Sequence, residues 1–133
     1  MDRHAPSVPR ILIVDDDPLI IDIIHDTLDG SGYDMSTVRD GLDMMPALWA
    51  LDPSLVILDC NLPGRPGMML LEDIRRSAPN PLVPVLMLTG RQGQWNENAA
   101  KRHGVDRYLR KPFGLDEFRV TVARLVANGV VAA

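Results

Sequence analysis

Short apolar runs alternate with stretches of helical spacing along this chain, and the alternation occurs five times. RILIV (Arg10–Val14) is a β-rich run, and residues 19–28 then place Leu19, Ile20, Ile23, Ile24, Thr27 and Leu28 at helical intervals. Gly30 and Gly32 stop that helix. Residues 33–38 alternate like a second strand. Gly41–Leu51 reads as a helix with Leu42, Met45, Leu48 and Trp49 on one side and Pro46 inside it. Residues 54–58 are continuously apolar, as in a strand buried on both faces. After the turn LPGRPG, residues 68–76 predict a third helix and 83–88 a fourth strand. A polar loop leads to a short helix near 96–103, a strand at 107–109 and a final amphipathic helix over 115–127.

Five strand–helix pairs imply an α/β fold with a parallel sheet and helices on both faces, because βαβ crossovers are right-handed and cover the sheet. No repeat or linker divides the 133 residues, which suit one domain at 10–127 flanked by tails at 1–9 and 128–133. Composition is that of an average globular protein, with 46% hydrophobic and 24% charged residues. A net charge of −4 without a basic stripe argues against direct nucleic-acid binding. The pairs Arg75-Arg76, Lys101-Arg102 and Arg110-Lys111 read as solvated faces. One cysteine, Cys60, rules out an internal disulfide and reads as a small buried side chain. No apolar run approaches membrane length and the first residues lack a signal core, so a cytoplasmic setting is expected. His4, His25 and His103 are isolated, and the methionines read as core filling.

In open parallel sheets ligands sit beyond the carboxyl ends of the strands. The residues there are Asp15, Asp16 and Asp17 after strand one, then Asp59, Cys60 and Asn61 after strand three. Thr89 and Gly90 follow strand four, and Lys111 and Pro112 follow strand five. Asp17, directly before Pro18, fits a helix N-cap with proline at the first helical position. The other carboxylates suit a hard divalent cation such as Mg²⁺, which takes oxygen ligands. A carboxylate beside such a metal can be the nucleophile in phosphoryl transfer, with amine and hydroxyl sharing the charge on the phosphoryl oxygens.

ILIVDDDP, LVILDCNLPGRPG, VLMLTG and YLRKPF, in this order, resemble the receiver domain of bacterial two-component response regulators over about residues 10–127. The resemblance implies the flavodoxin-like strand order 2-1-3-4-5, an order already established for that fold. It implies Asp59 as phosphoacceptor and Mg²⁺ held by Asp16, Asp59, the Asn61 backbone carbonyl and, through water, Asp15. It further implies Thr89 and Lys111 on the phosphoryl oxygens, Tyr108 turning inward on phosphorylation, and a cis bond before Pro112. The implied partners are a histidine kinase or histidine phosphotransfer protein and a downstream protein docking on helix four, strand five and helix five. The implied state is a monomer or a phosphorylation-dependent homodimer. Such a domain is a switch rather than an enzyme, with self-catalysed phosphorylation and slow autodephosphorylation only.

Gly90, Gly93 and Trp95 depart from the commoner pattern of that loop, where a small residue, usually alanine, follows the threonine. A chain ending at Ala133 without a winged helix favours a single-domain regulator over a receiver excised from a DNA-binding one. A haloacid-dehalogenase-type phosphatase would also place Asp-x-Asp after strand one. It would need Thr or Val where Leu19 stands, and a cap domain for which there is no room.

Overall fold

The computed structural model describes residues 8–60, 62, 65–90 and 97–131. Five strands, β1 (Arg10–Val14), β2 (Asp34–Val38), β3 (Leu55–Asp59), β4 (Val85–Thr89) and β5 (Arg107–Arg110), form one parallel sheet in the order β2-β1-β3-β4-β5. Between and after them run α1 (Pro18–Leu28), α2 (Gly41–Leu51), α3 (Gly67–Ser77), α4 (Glu97–Arg102) and α5 (Leu115–Val131).

Strand alternation sorts the core into two layers. Leu12, Val14, Val56, Leu58, Val85 and Met87 point toward α2, α3 and α4, where they meet Met44, Leu48, Leu70, Ile74 and Ala100. Ile11, Ile13, Leu55, Ile57, Leu86 and Leu88 point the other way, onto Ile24 and Leu28 of α1 and Phe118, Val122 and Leu125 of α5. Every residue of β3 and β4 is buried, which is why these strands read as unbroken apolar runs. Each fully buried Leu, Ile or Val is worth about 1.5–3 kcal/mol, so the sheet centre is its most stable part.

Several boundaries and faces differ from the sequence expectation. β3 and β4 each run one residue further than expected, so Asp59 and Thr89 lie inside the ladder rather than after it. α5 continues four residues past Ala127, to Val131. On α2 the inward residues are Gly41, Met44 and Leu48, while Leu42 and Trp49 face solvent. That helix is apolar most of the way round, so spacing alone does not choose a face.

Arg75 is the clearest correction. Rather than lying on a solvated face, it donates five hydrogen bonds: two to Gly104 O, one each to Pro81 O and Val83 O, and one to Asp106 Oδ2. Asp106 Oδ2 also accepts the Val85 N–H at 2.8 Å. The end of α3 lies against the turns that enter β4 and β5, and the guanidinium satisfies carbonyls that no strand or helix pairs.

Candidate functional site

The carboxyl ends of β1, β3 and β5 bring an acidic group and one amine together. Carboxylate oxygens of Asp15, Asp16 and Asp59 all lie within 4.8 Å of one another. Lys111 Nζ stands 3.3 Å from Asp59 Oδ1 and 3.7 Å from Asp15 Oδ2. Asp15 and Asp59 are buried, and Asp16 is exposed at the mouth.

The three aspartates after β1 have three different jobs. Asp17 caps α1: its Oδ1 accepts the Leu19 N–H at 3.0 Å, and Pro18 occupies the first helical position, where no N–H is needed. Asp15 Oδ1 accepts the Asp17 N–H at 3.0 Å, which fixes the carboxylate in the pocket. Asp15 Oδ2 is buried with no hydrogen-bond partner among the described residues. Burial pushes the Asp15 carboxyl from 3.8 up to about 6; the bond from Asp17 N–H opposes the rise, nearby Asp59 adds to it, and Lys111 opposes it. Asp16, one residue on, is left to face outward beside them.

Where the chain leaves β5 the Lys111 N–H donates to Thr89 O at 2.6 Å, and the Lys111–Pro112 peptide that follows is cis. Thr89 is fully buried at the end of β4, its Oγ1 donating a long 3.4 Å bond to Gly90 O. Cys60 follows Asp59 and holds β4 through a 2.9 Å bond from its N–H to Leu88 O. Its thiol is buried, and that burial pushes its pKa up. The expected small buried side chain is what Cys60 is, packed in the layer of Leu58 and Met87. Tyr108 is buried in the layer under α3 and α4. Asn61, and residues 91–96 of the loop carrying Gly93 and Trp95, lie outside the described residues.

A buried Asp15 oxygen with no hydrogen bond among the described residues, in a group whose three carboxylates each offer an oxygen within 4.8 Å of the others, suits a hard cation. The family model for the response regulator receiver domain matches residues 11–123. The chain belongs to that family.

A receiver domain is a signalling domain that works between histidine kinases or phosphotransfer proteins and downstream effectors. The chain is 36% identical over 119 residues to the DNA-binding dual master transcriptional regulator RpaA of Synechocystis. That match covers 90% of this chain but 49% of the relative, so the chain spans about half the length of RpaA. Among solved structures it is similar to the receiver domain of the Francisella response regulator 1452, with 28% identity and a TM-score of 0.81 over 90% of this chain and 98% of the other. The receiver domain of the sensor histidine kinase PA1611 from Pseudomonas aeruginosa, whose structure has a magnesium ion in its active-site cleft, is 27% identical. Its TM-score is 0.79, over 91% of this chain and 99% of that one. Among the described residues no helix is long and apolar enough to cross a membrane.

Proposed function

We propose that this receiver takes a phosphoryl group onto Asp59 from a phosphohistidine of a histidine kinase or phosphotransfer protein. The observation that carries the reading is the acid pocket itself. Three carboxylates lie within 4.8 Å, one oxygen of Asp15 is buried without a hydrogen bond, and Lys111 Nζ sits 3.3 Å from Asp59. An Asp59 oxygen attacks phosphorus as the phosphorus–nitrogen bond breaks. The bonding pair leaves with the imidazole nitrogen, which takes a proton. Lys111 and Thr89 hold the transferred oxygens, and attack by water later returns inorganic phosphate and the free carboxylate. Asp16, Asp59 and the Asn61 carbonyl, with Asp15 alongside, would hold Mg²⁺, which would supply the positive charge that lets a carboxylate approach a phosphoryl group.

The output is a shift between two arrangements of the face built from α4, β5 and α5. The burial of Tyr108 supports a switch in which phosphorylation stabilises an inward tyrosine that the unmodified chain already reaches. In the first reading the domain acts alone, through a protein contact made by this face. The DNA-binding name of the curated relative, twice as long, favours a second, in which the receiver controls an attached DNA-binding module. The length of the transcript beyond the Ala133 codon separates the two.

Intact-mass measurement after acetyl phosphate or phosphoramidate treatment tests the chemistry. One phosphoryl group is expected, with Mg²⁺ only, on the wild type and none on Asp59→Asn. Equal labelling in EDTA, or labelling of the mutant, overturns the reading.

A further inference from the structure

The outer side of α2 is apolar. The helix carries one charged residue in 11, Asp43, and buries Gly41, Met44 and Leu48. Turned away from the sheet are Leu42, 78% exposed, and Trp49, 62% exposed. Pro46 and Ala50 are exposed with them, and Met45 is half-buried alongside. Positions 42, 45, 46 and 49 recur once per turn, so these side chains form one stripe along the helix. Asp43 lies on its flank, in line with Ala47 and Ala50. Monomeric soluble proteins seldom leave a continuous apolar stripe of this kind uncovered.

The stripe is self-complementary about a point between Met45 and Pro46. Leu42 and Trp49 stand equally far from that point, and both are apolar and exposed. Further out, Arg39 just before the N-cap and Asp52 at the C-cap are also equidistant, exposed and opposite in charge. The counterpart of Asp40, the N-cap, is Leu51, whose carbonyl accepts from Arg10 Nη1 at 2.6 Å. An acid at one end is thus matched by a guanidinium at the other. Laid end for end on a copy of itself, the helix sets apolar against apolar and cation against anion. The two helix dipoles then run antiparallel as well. A parallel pair would instead bring like charges together at both ends.

We propose that the outer face of α2 is the contact of a twofold dimer of this chain, with Leu42 of each copy against Trp49 of the other. The two helices pack antiparallel and cross at Met45 and Pro46. Such a contact is isologous and closes at two chains. The stripe offers on the order of 500 Å² per copy, so the pair buries about 1,000 Å², enough for a specific but weak dimer. α2 packs on β1 and β2, at the end of the sheet remote from β5. The contact is therefore separate from the face built by α4, β5 and α5, and it forms without phosphorylation.

Sedimentation equilibrium of the unphosphorylated chain tests the dimer. The average mass should rise toward twice that of the monomer between about 10 μM and 1 mM. Trp49→Glu should stay monomeric over that range, with its urea midpoint unchanged because the side chain is exposed. A wild type that is monomeric at the highest concentration overturns the proposal. So does a dimer that Trp49→Glu retains, or one that forms only after acetyl phosphate treatment. Cross-linking reads the direction of packing. Cys60 is the single cysteine, so a Cys60→Ala background leaves only introduced thiols. On oxidation, Leu42→Cys and Trp49→Cys should bridge when mixed and neither should bridge alone, whereas Pro46→Cys should bridge to itself. No bridge in the mixture, or Leu42→Cys bridging to itself, overturns the antiparallel contact.

Discussion

At the carboxyl ends of the strands a buried oxygen of Asp15 has no hydrogen bond, with two more carboxylates within 4.8 Å. At the amino ends of β4 and β5, Arg75 makes five hydrogen bonds and Asp106 accepts from both Arg75 and Val85. Both clusters are charged, partly buried and assembled from residues far apart in the chain. They differ in satisfaction. Around Arg75 the guanidinium answers carbonyls and a carboxylate within the protein, and nothing is left for a ligand. In the acid pocket negative charge exceeds what Lys111 neutralises, and the deficit is what a cation and a phosphoryl group would meet. Polar groups that are fully paired hold a fold, whereas a concentrated deficit at one edge marks where something binds.

The sharpest way to break this comparison is to remove the outermost acid. Asp16→Ala should abolish Mg²⁺ binding in a calorimetric titration. The metal-free domain should stay as stable in urea or become slightly more so, because a repelling charge has gone. Retained Mg²⁺ affinity would place the metal elsewhere.

Arg75→Ala should do the reverse. It leaves three carbonyls and one Asp106 oxygen short of a donor, so urea unfolding should show a loss of about 2–4 kcal/mol. Mg²⁺ affinity should stay within about twofold of wild type, since the guanidinium charge lies at the opposite edge of the sheet and is paired with Asp106. A large fall in Mg²⁺ affinity would mean that the two edges are coupled.

The contrast also explains what the sequence revealed. Asp15, Asp16, Asp59 and Lys111 follow apolar runs that any βαβ reading places at one edge, so their meeting is written in local pattern and strand order. The sheet order, the cap at Asp17 and the cis bond before Pro112 followed from motifs a few residues long. Arg75 had no such signature. Its partners at 81, 83, 104 and 106 are mostly backbone carbonyls, which every residue has. The inward face of α2 was hidden for another reason, since Leu42 and Trp49 are as apolar as Met44 and Leu48 and only packing separates them.

A smaller effect is expected from Asp15, through pH. Its carboxyl is raised from 3.8 to about 6 in the folded, metal-free chain. Between those values the folded state binds more protons than the unfolded one, so stability falls as pH rises through this window, by at most about 3 kcal/mol. Asp15→Asn removes that group. The mutant should match the wild type below about pH 4 and exceed it at pH 7. Urea melts at both values without metal read the difference. A mutant less stable than wild type at pH 7 would show that Lys111 and the Asp17 N–H already satisfy the carboxylate.

The smallest effect belongs to Asp17, the neighbour whose charge is used for the fold. Its carboxylate accepts the Leu19 N–H at 3.0 Å at the start of α1, where the helix dipole also favours a negative charge. Asp17→Ala should cost about 0.5–2 kcal/mol in urea. Asp17→Ser should recover most of the loss, because a hydroxyl caps without a charge. Mg²⁺ affinity should fall only modestly in both, through one fewer negative charge nearby. Similar losses of stability in the two variants would assign the effect to charge rather than to capping. Loss of Mg²⁺ binding in Asp17→Ala, with binding kept in Asp16→Ala, would move the metal-binding register by one residue. The acidic run would then divide between fold and ligand at a different aspartate.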